Sequence, residues 1–229
     1  MEQLAMELKV GESFDKYLVT YVYTQTGNVG PVYEVKDTSI GRLFVVKFLS
    51  TDGLSEDRRE RRCVRFDNEK YMAQFNHPNM VRIVHAETWQ SNKYLILERC
   101  DSDLRTLLQT PPVSSALALN ALIHISRGLQ EVHVRAKAIH RDLKPENVLF
   151  ERANGNFQIS DFGLILRRDP GVRRVTKPEE PPGTVPYSDP LAMSGQRDWD
   201  EYSDLYSLGW IIEDVLGAQP LALGGVAGH

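Results

Sequence analysis

The rhythm of hydrophobic and polar positions changes near residue 100. Before it, apolar side chains come in alternations and short runs. Residues 17–23 are β-branched and aromatic, 31–35 alternate, and 42–48, 80–84 and 94–97 are short apolar runs. Such segments fit a pleated, half-buried surface and predict five strands. Gly27 with Asn28, and Ile40 with Gly41, mark turns between the first three. Residues 55–75 predict one helix. Ser55 suits its N-cap, Glu56 and Asp57 suit its first turn, and His77, Pro78 and Asn79 end it. Val64, Asn68, Met72 and Phe75 fall on one face of that helix, with the polar Asn68 interrupting the stripe.

After residue 100 the period becomes helical. Residues 103–109 make a short helical stretch stopped by Pro111 and Pro112. Residues 115–134 are amphipathic, with Leu122, Ile125, Leu129 and Val132 at helical spacing. Residues 164–186 are charged and Pro-rich and read as a long loop, and residues 204–216 form a strongly apolar helix. The expected class is α+β: a five-stranded antiparallel sheet with one helix, then a mainly helical half.

Composition narrows the function. Of 229 residues, 41% are hydrophobic and 25% charged, the balance of a soluble globular protein with a large core. The net charge of −4 gives no global reason to expect nucleic acid. Arg58, Arg59, Arg61, Arg62 and Arg65 crowd the predicted helix, either as a solvated face balanced by Glu56, Asp57 and Glu60 or as a patch for nucleic acid or an acidic partner. The two cysteines, Cys63 and Cys100, have no metal-ligand spacing, which points to a reducing compartment rather than a disulfide framework. The N-terminus carries acids and lacks the apolar run of a signal peptide, and no apolar stretch is long enough to span a membrane. The expectation is a cytoplasmic protein.

The chemistry lies in two segments. Residues 140–147 read His-Arg-Asp-Leu-Lys-Pro-Glu-Asn, and Asp161, Phe162 and Gly163 begin fourteen residues after Asn147. Asp142 is a candidate base for a hydroxyl nucleophile. Asn147 and Asp161 offer hard oxygen donors of the kind Mg²⁺ takes sparingly from protein. Seven fixed letters at set spacing occur by chance about once in a billion start positions. The two segments resemble the catalytic loop and the metal loop of protein kinases, a family whose catalysis is mostly positioning and charge neutralisation around phosphates. The similarity runs from about Tyr17 to Leu216. It implies a two-lobed fold, with an N-lobe over 1–97 and a hinge and shortened C-lobe over 98–229. It also implies ATP and Mg²⁺ as cofactors and a protein substrate with a Ser or Thr acceptor.

The resemblance assigns further roles. Lys47 falls seventeen residues after Gly30, where the family places the lysine that holds the α- and β-phosphates. Glu69 would be its ion-pair partner, with Glu60 as the fallback, although Glu69 lies one residue nearer to His77 than is usual. The glycine loop is degraded: Gln25 stands where the first glycine would be, while Gly27, Gly30 and Val32 keep the later positions. Val45 and the gatekeeper Leu97 would border the adenine, backbone groups of Glu98 and Cys100 would bond it, and Asp103 would reach the ribose. Lys144 would steady the transferring phosphate and go with Ser/Thr specificity, and Thr184 would bond near Asp142 and Lys144. Arg141 would dock a phosphate on the activation segment. Thr176 is the obvious acceptor of that phosphate, and Glu179 and Glu180 are candidates to replace it. Asp204 would brace the catalytic-loop backbone. The segment that usually ends Ala-Pro-Glu here has Asp189, Pro190 and Leu191, so the family's Glu–Arg pair in the large lobe is lost. A shortened C-lobe predicts a protein partner or self-association over the face of the 204–216 helix. The alternative reading is a pseudokinase, acting as a nucleotide-binding or protein-interaction module.

Overall fold

The computed structural model describes residues 7–23, 29–110, 113–168 and 182–217. The alternating first part folds into an antiparallel sheet of β1 (Ser13–Phe14), β2 (Tyr17–Val22), β3 (Val32–Asp37), β4 (Leu43–Phe48), β5 (Ile83–Trp89) and β6 (Asn92–Glu98), with α1 (Glu56–Met72) between β4 and β5. Spatial order is β1-β2-β3-β4-β6-β5. The sheet thus has six strands where the pattern predicts five. The extra one, β1, is too short to carry a periodic signal and pairs with Tyr17 and Leu18. β5 also starts at Ile83 rather than Met80, because Met80 instead bridges to Ile159 in the second half of the chain.

The strand period sorts side chains between two cores. Phe44, Val46 and Phe48 of β4 join Phe14, Tyr17, Tyr33, Val35, Tyr94 and Ile96 in an outer aromatic cluster. The alternate positions, Val45 and Lys47, face the opposite side, where Leu95 and Leu97 belong to the main core. A lysine in an apolar strand is placed in this way inside the cleft rather than in solvent. In α1 the buried side chains are Phe66, Asn68, Glu69 and Met72, whereas Val64 is only half-buried. The helix face is therefore turned from the stripe predicted through Val64 and Phe75. Ser55 sits at the N-cap position but makes no side-chain capping bond.

Asp37 pins the turn after β3. Its Oδ1 accepts from Ser39 N at 2.9 Å and Ser39 Oγ at 2.5 Å, and its Oδ2 lies 3.1 Å from Lys16 Nζ. The Ser39 hydroxyl, with Lys16 and the Ser39 amide, outweighs desolvation and brings the carboxyl down to about 2. Asp37→Ala is expected to lower unfolding stability by about 1–3 kcal/mol. The contribution is fully present above the unfolded carboxyl value of about 3.9 and is lost as pH falls through the folded value. Urea titrations of both proteins across that range should converge at the acid end.

The second half contains β7 (Ser102–Asp103), α2 (Leu104–Leu108), α3 (Ser115–Gln130), β8 (Ala138–Ile139), β9 (Val148–Glu151), β10 (Asn156–Ile159), β11 (Leu166–Arg167), α4 (Pro190–Met193) and α5 (Glu201–Gly217). α3 continues into a widened turn over Glu131–Arg135. β9 pairs with both β10 and β7, and β8 pairs with β11. Ile125, Leu129, Val132, Leu143, Ile211 and Val215 are the buried centre of this half. α5 leaves Leu205 49% and Leu216 60% exposed. Among the described residues, no helix is long and apolar enough to cross a membrane. The fold is a mixed α/β, two-lobed kinase-like architecture, as the sequence pattern and the resemblance lead one to expect.

Candidate active site

A hairpin explains how residues fourteen positions apart come together. β9 and β10 pair antiparallel from Val148↔Ile159 to Glu151↔Asn156. Extending the pairing past Val148 sets Asn147 beside Ser160, whose N and Oγ donate to the Asn147 carbonyl at 2.9 and 3.0 Å. Asp161 follows directly, in a left-handed conformation with φ 59° and ψ 66°. A non-glycine residue there is strained, and strain of this kind persists where surrounding contacts enforce it. Phe162 is buried beneath α1, its ring 5.5 Å from that of His140.

Asp142 is a meeting point of donors. Oδ1 accepts from Thr184 Oγ1 at 2.8 Å. Oδ2 accepts from Lys144 Nζ at 3.0 Å and from Asn147 Nδ2 at 3.2 Å. Lys144 Nζ also donates to Thr184 Oγ1 at 2.8 Å. Asn147 Nδ2 bonds the Asp142 carbonyl at 2.8 Å, which turns the amide oxygen of Asn147 away from the loop. The loop itself hangs on Asp204, whose fully buried carboxylate accepts from His140 N at 2.8 Å and Arg141 N at 2.9 Å. His140 donates from Nε2 to the Ser160 carbonyl at 3.0 Å, tying the 140–147 loop to the residue before Asp161.

Lys47 reaches in from β4. Its Nζ lies 2.8 Å from Glu69 Oε2 and 3.7 Å from Asp161 Oδ1. Burial opposes the Lys47 charge, but Glu69 and Asp161 outweigh it and hold the ammonium above its ordinary pKa. Burial pushes the Glu69 carboxyl up, partly countered by Lys47. A neutral Glu69 would leave a buried ammonium undercompensated, so the pair is ionised. Burial also raises Asp161, but Lys47, His140, Lys144 and Arg65 overcome it and leave the carboxyl below its usual range. Asp161 is thus a carboxylate at neutral pH. It and the Asn147 amide oxygen are hard donors of the kind that could hold Mg²⁺, a metal that takes few ligands from protein and the rest from water and phosphate.

Other predicted positions fall as follows. Val32 pairs with Lys47 and Val45 with Leu97, so all four share the cleft face of the sheet. The Glu98 amide already donates to the Arg82 carbonyl at 3.0 Å, so Glu98 offers a base its carbonyl. Cys100 is half-buried, and burial pushes its thiol up to about 12. Asp103 caps α2, with Oδ1 accepting from Thr106 N and Oδ2 from Thr106 Oγ1, each at 2.8 Å. Gly30 serves strand packing: an added Cβ would stand 2.3 Å from the Phe48 carbonyl oxygen. Gly27, Gln25, Thr176, Glu179 and Glu180 lie outside the described residues. Arg141 has φ 67°, donates from Nε to the Leu164 carbonyl at 2.7 Å and sits 5.9 Å over the Trp199 ring. Glu60, the fallback partner for Lys47, lies near the start of α1 and does not form the pair, which goes to Glu69.

Sequence reasoning misses two contributors. Asn68, read as a flaw in the stripe, donates to the carbonyls of Gly163 and Ile165 at 3.0 and 3.2 Å and so couples α1 to the turn after Asp161. Its signal is the polar residue itself, since a buried amide demands partners. Asp189 is paired with Arg197, which nothing in the local pattern announces.

Comparison with known proteins agrees with this geometry. Residues 25–224 match the family model described as protein kinase domain. The chain is 33% identical over 205 residues to a probable serine/threonine-protein kinase, SCO3848, of Streptomyces coelicolor, covering 86% of this chain and 30% of the relative. It is 29% identical over 217 residues to the probable serine/threonine-protein kinase PknB of Lactococcus lactis, covering 93% of this chain and 33% of the relative. It is 27% identical over 197 residues to cyclin-dependent kinase-like 4 of Mus musculus, covering 85% and 55%. The chain spans about a third of the length of the two bacterial relatives. By the extent of the family match, the chain belongs to the protein kinase domain family.

Proposed function

We propose that the protein transfers the γ-phosphoryl group of ATP to Ser or Thr hydroxyls of protein substrates, with Mg²⁺ as the required metal. The observation that carries this reading is the meeting of the Lys47–Glu69–Asp161 cluster with the Asp142–Lys144–Thr184–Asn147 cluster across one hairpin. Asp142 orients the acceptor hydroxyl and takes its proton as the new P–O bond forms and the bond to ADP breaks. Lys144 faces the phosphoryl group in flight, and Lys47 holds the phosphates of the nucleotide. Asn147 and Asp161 would hold Mg²⁺, which when bound neutralises phosphate charge. Val32, Val45, Leu97, the Glu98 carbonyl, Cys100 and Asp103 frame the nucleotide, and Gly27 and Gly30 are assigned to its phosphates.

In this reading the chain divides into an N-lobe over 1–97 and a hinge and C-lobe over 98–229, and it works in the cytoplasm. The exposed Leu205 and Leu216 on α5 are covered by a protein surface, another copy of the chain included. No nucleic acid takes part.

The test is transfer of label from γ-labelled ATP to a generic basic protein, with Mg²⁺ and with EDTA, followed by phosphoamino-acid analysis. Mg²⁺-dependent label on Ser and Thr is the expected result. ATP binding without transfer would select the pseudokinase reading, and label on Tyr alone would overturn the acceptor assignment.

A further inference from the structure

α5 holds more than the catalytic loop. Beside Asp204, its Ser207 Oγ donates to the Tyr187 carbonyl at 2.8 Å, and its Ser203 Oγ donates to Asp189 Oδ2 at 3.0 Å. Asp189 is 3% exposed and carries a carboxylate at the end of the segment that begins with Gly183 and Thr184. Its Oδ1 caps α4 by accepting from Leu191 N at 3.1 Å. Its Oδ2 also receives Arg197, and Arg197 lies 3.7 Å from Asp200, which caps the start of α5 through Ser203 N at 3.2 Å. The chain between folds back on itself, with Gln196 N and Arg197 N both donating to the Leu191 carbonyl at 2.9 and 3.2 Å. Leu191, where the resemblance would place a glutamate, is 45% exposed and takes no part in any ion pair. Asp189 stands two positions before Leu191, and its cation comes from eight residues downstream.

This closed loop is joined to the reacting end through a second turn. Ser188 N and Oγ donate to the Thr184 carbonyl at 3.0 and 3.2 Å. Gly183, with φ +113°, admits no side chain there, since a Cβ would stand 2.0 Å from Ser188 Oγ and 3.0 Å from the Arg141 carbonyl. Thr184 then meets Asp142 and Lys144. One helix therefore carries both the catalytic loop, through Asp204, and the acceptor-side segment, through Ser203 and Ser207.

We infer that Asp189 and Arg197 form a local clasp that positions the 183–189 segment, and with it Thr184, against the catalytic loop for the protein acceptor. They are positioning residues, and for acceptor binding the inference rests on the function proposed above. A buried carboxylate deprived of its cation is costly, so removing Arg197 loosens the segment that Asp189 ends. Deuterium exchange on the intact chain tests this directly. In Arg197→Met, amides of Ser188 and Met193, bonded to the Thr184 and Asp189 carbonyls, should exchange about tenfold faster or more, while those in α1 and β4 keep their rates. Arg197→Lys, which keeps the charge, should restore most of the protection. Ser203→Ala should fall between the two. In steady-state assays, Arg197→Met should raise KM for the protein acceptor and leave KM for ATP unchanged. Unaltered exchange at Ser188 and Met193, or an increase spread evenly over the sheet, would overturn the clasp. A wild-type protein without transfer activity would remove the proposed function, and the exchange result would still decide the clasp.

Discussion

Asp142→Asn is expected to slow phosphoryl transfer by about 10²–10⁴-fold, the usual contribution of a positioned proton acceptor. The physical reason is the crowding of donors at this carboxylate. Thr184 approaches Oδ1, while Lys144 and Asn147 share Oδ2. An amide has a single oxygen, so the variant turns an NH₂ group toward at least one of those donors and cannot accept the acceptor's proton. Volume is unchanged and the loop still hangs on Asp204, so nucleotide affinity and melting temperature should stay close to wild type. Label transfer at saturating ATP, with calorimetry on the same preparation, checks both halves. A variant that transfers at the wild-type rate would remove Asp142 from proton acceptance.

The second large effect is structural. Asp204→Ala should cost about 3–5 kcal/mol, because removing a buried acceptor leaves each donor with its full desolvation penalty. The carboxylate is fully buried, bonds two consecutive backbone amides and lies 2.7 Å from His133 Nε2. For a chain of this size that loss corresponds to a fall in melting temperature of roughly 6–20 °C. Asp204→Asn keeps one acceptor oxygen and should lie between the two. Both should impair transfer more than nucleotide binding, because the disturbed residues belong to the catalytic loop while Lys47 and Glu69 belong to the sheet and α1. A melting temperature unmoved by Asp204→Ala would mean that the loop is held from elsewhere.

Much of this protein is legible in its letters where local rules act alone. The short apolar run at 42–48 reads as a strand, and its pleat sets Lys47 on the face opposite Phe44, Val46 and Phe48, because a strand has only two sides. Capping chemistry is less legible: Asp103 and Ser114 cap α2 and α3, while Ser55, the cap the letters single out, makes no capping bond. The legible part ends where a residue's partner is distant in sequence. Asn68 reads as an error in an apolar stripe until the turn at Gly163 supplies its carbonyls. Asp189 reads as a departure from the family pattern until Arg197 folds back to it. β1 and β8 consist of two residues each and carry no period at all.

The letters alone fix the kind of parts: a sheet followed by helices, and two aspartates, one lysine and one asparagine at defined spacings. Periodicity and side-chain chemistry are local properties, readable without neighbours. The partners that only packing supplies are those no letter announces: the Gly163 and Ile165 carbonyls for Asn68, and Arg197 for Asp189. Burial makes those choices, because a charge or amide removed from water must find its complement wherever the packed chain delivers one.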